Sequence, residues 1–433
     1  MQRTHIVELD LTVLSYLGAA VGHTADNLVV FATGALPGER ARVAIDERRR
    51  NFARGRVLEV LTAAPERVSP PCPYFGSCGG CQFQHLDYSA QVRWKSELVR
   101  RQLQRIGHFD EPLVRPTIPA PHPWSYRNQA RFSVDQRGRL CFTRAQSHQL
   151  LPIDVCRIVQ PAIAALIPRL HDRWPGEQHL IVRCCARTGD LLIAPRLPGL
   201  DTELPSGQES YEEVFLGRTY RVSLPSFFQV NTRVDPVARP DSRTFGEAPD
   251  QPGYPSPDVW ATWGGGDSRH VSQAELLALL VLDRLALRGR EFVVDAYCGV
   301  GTFAVLLARR ARHVIGLEES SSAVGDARHN AEGLDNVEFR LGHTEDLLGT
   351  IVEPLDAVVL DPPRAGCAPA VLRALAAIHP STVVYVSCDP ATLARDLADL
   401  CAHGFDLVDV QPIDMFPQTH HVETVSLLHA SQI

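Results

Sequence analysis

The most constraining stretch of this chain is Val293-Val294-Asp295-Ala296-Tyr297-Cys298-Gly299-Val300-Gly301-Thr302-Phe303. A β-branched apolar run feeds a Gly-x-Gly turn, and Ala304-Val305-Leu306-Leu307-Ala308 continues as a helix. Strand, glycine turn and helix in that order open a nucleotide-binding α/β unit, because glycine is needed where backbone turns sharply against a ligand. His313-Val314-Ile315-Gly316-Leu317 reads as the next strand and ends in Glu318, the position from which an acid takes ribose hydroxyls. Thr302, Phe303 and Ala304 break the full G-x-G-x-x-G fingerprint, so a pyrophosphate has little cradle. The turn at Gly299, Gly301 and Thr302 therefore predicts a nucleoside cofactor without phosphates, of which S-adenosylmethionine is the commonest.

A chain of 433 residues can hold two or three domains, each with its own core. It has no apolar run of about 18 residues, and Met1-Gln2-Arg3-Thr4-His5 lacks a signal peptide's apolar core. A cytoplasmic, membrane-free monomer is the expectation. Eleven cysteines in such a compartment argue for metal or catalytic roles instead of disulfides. The net charge of −7 does not advertise a nucleic-acid binder, so local charge matters more.

Residues 1–62 alternate short apolar runs with turn residues, the rhythm of a small β-barrel. Within it Arg40, Arg42, Arg48, Arg49, Arg50, Arg54 and Arg56 face only Asp46 and Glu47 in the same window. Such a cluster predicts a grip on an RNA backbone, supplying affinity and not chemistry. Residues 63–231 read as a central mixed α/β part. It opens with Cys72, Cys78 and Cys81, spaced C-x5-C-x2-C among prolines and glycines that supply tight turns. Closure around one centre requires a fourth ligand, for which Cys156 is the candidate. Four thiolates suit zinc or an iron–sulfur cluster, and the spacing is not the C-x3-C-x2-C of radical enzymes. Residues 88–107 have helical spacing, with Lys95, the only lysine in the chain, on the apolar side. Pro225-Ser226-Phe227-Phe228-Gln229-Val230-Asn231 places amides after two aromatics, where they could face a ligand. Residues 232–271 are rich in proline, glycine and aspartate and read as an insertion.

The C-terminal part, 272–433, continues the α/β pattern. The strand Asp356–Leu360 ends in Asp361-Pro362-Pro363-Arg364, with an arginine where exocyclic-amino methyltransferases carry a base-stacking aromatic. The strand Thr382–Ser387 delivers Cys388-Asp389-Pro390. Pro390 suits a first helical turn, and the helix N-terminus is expected to favour a Cys388 thiolate. A nucleophilic cysteine is what carbon-5 methylation of a pyrimidine needs, and Cys367 is a rival on position alone. Glu423, at the start of a last strand, offers the base for the carbon-5 proton.

Together, Asp295–Phe303, Asp361–Gly366, Ser387–Asp396 and Asp414–Val425 resemble the RNA uracil-5-methyltransferases of tRNA and 23S rRNA over nearly the whole chain. The resemblance implies an N-terminal TRAM-like barrel, a central part with a 4Fe–4S cluster on Cys72, Cys78, Cys81 and Cys156, and a Rossmann-like methyltransferase domain against which the helix near 88–107 packs. It implies Cys388 as nucleophile, Glu423 as base, and Gln229, Tyr297, Glu318 and Asp361 lining an S-adenosylmethionine site. The RNA is then 23S rRNA before tRNA. Family members usually carry asparagine where this chain has Asp389, which favours an RNA-binding factor with degenerate catalysis as one alternative. Methylation of cytidine carbon 5 is the other.

Overall fold

A computed structural model describes residues 5–172, 179–197, 204–234, 255–256, 259 and 271–431. Most of the proline-rich stretch at 232–271 lies outside the described residues. Five strands close an N-terminal barrel in the order β1-β2-β3-β5-β4. They are β1 (His5–Leu14), β2 (Ala20–His23), β3 (Val29–Thr33), β4 (Arg40–Arg48) and β5 (Phe52–Thr62). Alternation puts Leu9, Leu11, Val30, Ala32, Ala41 and Val43 inside, each at most 2% exposed.

Helix α1 (Tyr88–Arg105) follows, with Asp87 capping it by accepting the Ser89 N–H. Its buried positions split between two neighbours. Ala90 and Leu98 join the barrel core, while Val99 and Leu103 join the core under the C-terminal sheet. α1 therefore joins the barrel core to the core under the C-terminal sheet, and its Arg100 and Arg101 pair with Glu97. The middle of the chain forms a five-stranded sheet, order β10-β9-β6-β7-β8, from β6 (Gln129–Val134), β7 (Leu140–Thr143), β8 (Leu150–Pro152), β9 (His179–Cys184) and β10 (Leu191–Ala194). Helix α2 (Pro161–Leu170) packs on it, and the hairpin β11 (Ser210–Phe215) and β12 (Arg218–Ser223) leads onward.

Helix α3 (Gln273–Leu285) starts with a full capping box, Ser272 with Glu275. The C-terminal sheet has the order β15-β14-β13-β16-β17-β19-β18. Its strands are β13 (Phe292–Ala296), β14 (His313–Glu318), β15 (Val337–Leu341), β16 (Ala357–Leu360), β17 (Thr382–Ser387), β18 (Phe405–Ile413) and β19 (Glu423–Ala430). The first five in sheet order run parallel, and β19 is antiparallel to β17 and β18. Strand order reverses between β13 and β16, so the crevice at their C-terminal ends is where a ligand belongs. β18 is a strand that alternation did not reveal. Its register shifts between Leu407 and Asp409, and Asp406 and Asp409 interrupt the apolar rhythm. Among the described residues no helix is long and apolar enough to cross a membrane.

Candidate active site

The turn after β13 is built around its charges. Asp295 is fully buried; one carboxylate oxygen accepts the Ala304 N–H at 2.7 Å, holding the next helix, α4 (Thr302–Leu307), and the other has no partner. Burial pushes its carboxyl well above the ordinary range. Tyr297, Gly299 and Gly301 all have positive φ (65°, 56° and 81°). At Gly299 an added Cβ would meet nothing within 4 Å, so this turn borders open space. At Gly301 it would come within 3.1 Å of Phe339 and 3.2 Å of Ala327, so glycine is needed there for packing as well. Glu318, at the tip of β14, accepts the Gly299 N–H at 3.0 Å and the Ser320 N–H at 2.8 Å. Each oxygen keeps a lone pair for a hydroxyl.

Asp361 follows β16 directly, and Gln229 reaches it from the middle of the chain, its Nε2 donating at 3.4 Å. Burial lifts the Asp361 carboxyl to about 7. The amide-bearing segment thus meets the sheet edge, and beside it Phe227 is 64% exposed. Tyr297, Gly299, Gly301 and Thr302 after β13, Glu318 at the end of β14 and Asp361 after β16, with Gln229 bonded to Asp361, thus lie at the C-terminal edge of adjacent parallel strands.

Cys388 lies between β17 and the helix α7 (Pro390–Ala402), α5 (Ser321–Asn330) and α6 (Pro369–Ile378) being the longer helices before it. Glu423 joins it because β19 is antiparallel. The first residue of β19 therefore sits at the same edge as the last of β17, with Ser387 opposite Thr424. Glu423 is 5% exposed, and burial, reinforced by Asp361, pushes its carboxyl well up. Arg364 acts in the opposite sense on both Glu423 and Cys388. The sequence marks Arg364 only as standing where other methyltransferases carry an aromatic, and nothing in the D-P-P-R motif advertised this electrostatic effect on Cys388 and Glu423.

The expected thiolate is corrected by the structure. Burial first, then Glu423, pushes the Cys388 thiol up to about 12. The helix N-terminus does not offset this, because the Asp389 carboxylate already takes its free amides, accepting Ala391 N–H at 2.9 Å and Thr392 N–H at 3.1 Å. Cys367, the rival, is 3% exposed, and its N–H is bound to Asp396. Cys388 is half-buried, with Glu423, Arg364 and Asp361 acting on its thiol.

The barrel's arginines are also less free than their count implied. Arg40 and Arg42 pair with Glu8, Arg42 also with Glu59, Arg48 with Asp26, Arg49 and Arg54 with Glu47, and Arg56 with Asp46. These are exposed pairs of little energetic weight. The barrel also reaches the strand end that carries Cys388, since Tyr16, in the segment between β1 and β2, donates to Asp389.

Cys72, Cys78, Cys81 and Cys156 line one cavity of about 320 Å³, whose wall also includes Tyr74, Phe75, Phe142, Ile153, Gln84 and Arg127. The fourth cysteine is thus brought to the other three by the fold. Burial pushes Cys78 and Cys156 up and Cys81 to about 12, with the neighbouring thiols adding to it. The Gly80 N–H approaches Cys78 Sγ at 3.4 Å. Among the described residues no three His, Cys, Asp or Glu side chains are arranged to hold a single metal ion. The next residues touch the loop that leads to Glu423: Gln82 and Phe83 N–H both donate to the Gln418 carbonyl, five residues before it.

Residues 284–431 match the tRNA (uracil-5-)-methyltransferase family model, and residues 3–58 match the TRAM domain. An RNA methyltransferase of Thermosynechococcus vestitus is 36% identical, with 99% of each chain covered. One of Halalkalibacterium halodurans is 34% identical over 99% of this chain and 98% of the relative. In fold, the chain is similar to the crystal structure of the Pyrococcus abyssi tRNA (uracil-54, C5)-methyltransferase in complex with S-adenosyl-L-homocysteine. The TM-score is 0.69, at 22% identity, over 98% of this chain and 100% of that one.

Proposed function

Because this chain belongs to the RNA (uracil-5-)-methyltransferase family, we propose that it methylates carbon 5 of one uridine in a structured RNA, 23S rRNA before tRNA, through a covalent bond from Cys388. The observation that carries this is the meeting of Cys388, Glu423, Arg364 and Asp361 at the edge of the crevice beside the Gly299–Gly301 turn. S-adenosylmethionine supplies an electrophilic methyl group on a cationic sulfonium. Glu318 suits its ribose, the orphaned oxygen of Asp295 keeps the turn polar, and Tyr297, Gly299, Gly301, Thr302, Asp361 and Gln229 complete the cradle.

The uridine leaves its stack to reach Cys388, and exposed Phe227 offers a face for its ring. Cys388 loses its proton to solvent as Arg364 and the cofactor's charge counter the burial. Its sulfur then adds to carbon 6 and turns carbon 5 into an enolate-like nucleophile. After methyl transfer, Glu423 takes the carbon-5 proton, and the carbon–sulfur bond breaks to return the thiolate. Glu423 must be ionised for that step, which Arg364 favours against burial, and its carboxylate then has a high affinity for the proton. Asp389 gives no support to a degenerate site, since it caps the helix behind the nucleophile.

The four cysteines fit a 4Fe–4S cluster, as a half-buried set of thiols on one cavity with an amide aimed at one sulfur. We assign it a structural part, holding the Cys81–Phe83 segment against Gln418.

RNA carrying 5-fluorouridine tests the chemistry, because fluorine cannot leave as a cation. The wild-type protein should form an adduct that survives denaturing gels. Glu423→Gln should trap an adduct on unmodified RNA, and Cys388→Ala should form neither. An adduct on Cys388→Ala would transfer the role to Cys367. Mapping 5-methyluridine in RNA from a deletion strain identifies the RNA.

A further inference from the structure

The segment joining β1 to β2 presses on both loops that carry the proposed catalytic pair. The Tyr16 hydroxyl donates to Asp389 Oδ2 at 2.5 Å. Its ring stands edge-on to His420, with centroids 6.4 Å apart at 75°. Gly18, at φ +84°, packs so closely that a Cβ would lie 3.0 Å from Phe83 and 3.4 Å from His420. The segment is stiffened from within, as Ser15 N–H donates to the Ala19 carbonyl at 2.7 Å and Gly18 N–H to the Ser15 carbonyl at 3.0 Å.

Asp389 divides its two oxygens. Oδ1 caps α7 through Ala391 and Thr392, Oδ2 takes the phenol, and the Asp389 N–H is held by Ser387 Oγ at 3.1 Å. Resting on the reading of Cys388 as nucleophile, we propose that Tyr16 is a positioning residue of the active site. Its hydroxyl completes the Asp389 cap and takes up the carboxylate's charge beside the sulfur.

The physical case is electrostatic. A carboxylate one residue from Cys388 opposes a forming thiolate unless its charge is spread over donors. Two amides serve one oxygen, and the phenol, which burial and Asp389 keep protonated, serves the other through a charge-assisted bond. This also gives a reason for aspartate where the resemblance expects asparagine. An asparagine would carry no charge to disperse and would turn an N–H toward Tyr16. The pair works as a unit, and the barrel must be docked for the nucleophile to be ready.

Tyr16→Phe removes one oxygen and keeps the ring packing, so it serves beside Asp389→Asn and the double variant. The readouts are kcat, KM for RNA, and the rate at which iodoacetamide alkylates Cys388, followed on its own peptide. Tyr16→Phe should lower kcat and the alkylation rate by about tenfold each, with KM and its salt dependence unchanged. In the Asp389→Asn background the same change should cost less than about twofold, because there is no charge left to satisfy. An equal loss in both backgrounds, or a loss in KM alone, would overturn the proposal. Activity surviving in Cys388→Ala would sink the nucleophile reading instead, whereas Cys388-dependent activity indifferent to Tyr16→Phe would sink this one alone.

Discussion

Lys95→Met is the substitution whose consequence the structure sets most sharply. Lys95 sits in α1 with no exposed side-chain surface and pairs with Asp414, which is equally buried, at 2.6 Å. Its Nζ also donates to the Phe416 carbonyl at 3.0 Å, and Asp414 takes the Tyr88 hydroxyl on its second oxygen at 2.9 Å. Methionine fills the stem of the lysine's channel but lacks its terminal nitrogen, so it strands a carboxylate and leaves a carbonyl without its donor. Removing one partner of a buried ion pair costs about 3–5 kcal/mol, while replacing both by apolar groups is near neutral. We therefore expect Lys95→Met to destabilise by about 3–5 kcal/mol, and Lys95→Met with Asp414→Leu to recover at least about half of that. Urea unfolding followed by fluorescence is the assay, the relevant transition being the one that Trp94 reports, since it lies next to Lys95 and packs on the barrel core. Methyl transfer should fall with it, because the segment from Asp414 leads to Glu423. A Lys95→Met midpoint within about 1 kcal/mol of wild type, or a double variant as unstable as the summed singles, would refute the reasoning.

Two further outcomes are expected. The Asp361 carboxyl titrates near 7 in the folded chain against 3.8 ordinarily, so the native state holds a proton that the unfolded chain has lost. Asp361 should thus make stability without cofactor fall as pH rises from about 4 to about 7, and Asp361→Asn should reduce that slope, with Asp295 and Glu423, also raised by burial, keeping the rest. A cationic cofactor prefers the ionised form, so affinity for S-adenosylmethionine by equilibrium dialysis should climb to about pH 7 and flatten. A pH-independent affinity in the wild type would contradict this. Protein purified without oxygen should be brown through its four-cysteine cavity, and Cys81→Ser should bleach it and slow methyl transfer through the Gln82–Gln418 contact. A colourless wild-type protein carrying stoichiometric zinc would count against the cluster.

What the sequence determined by itself was local chemistry. The glycine turn after Asp295, the acid at the tip of the next strand, and the run from Ser387 to Pro390 are legible because φ/ψ demands and side-chain periodicity act within a few residues. The helix at Tyr88–Arg105 was legible for the same reason. Its central lysine was visible too, but not the Asp414 it pairs with, 319 positions away. Glu423 could be placed at a strand start, but its arrival beside Cys388 depends on β19 running antiparallel, which no pattern within the strand encodes. Only the tertiary structure brought Cys156 to the other three cysteines and Tyr16 to Asp389, 373 positions away. Only the tertiary structure decided the protonation of the site as well. A helix N-terminus in isolation lowers a thiol's pKa, but here Asp389 occupies the amides and burial desolvates the sulfur, so Cys388 is pushed up to about 12. Desolvation and long-range pairing are properties of packed surfaces, and a linear pattern carries neither.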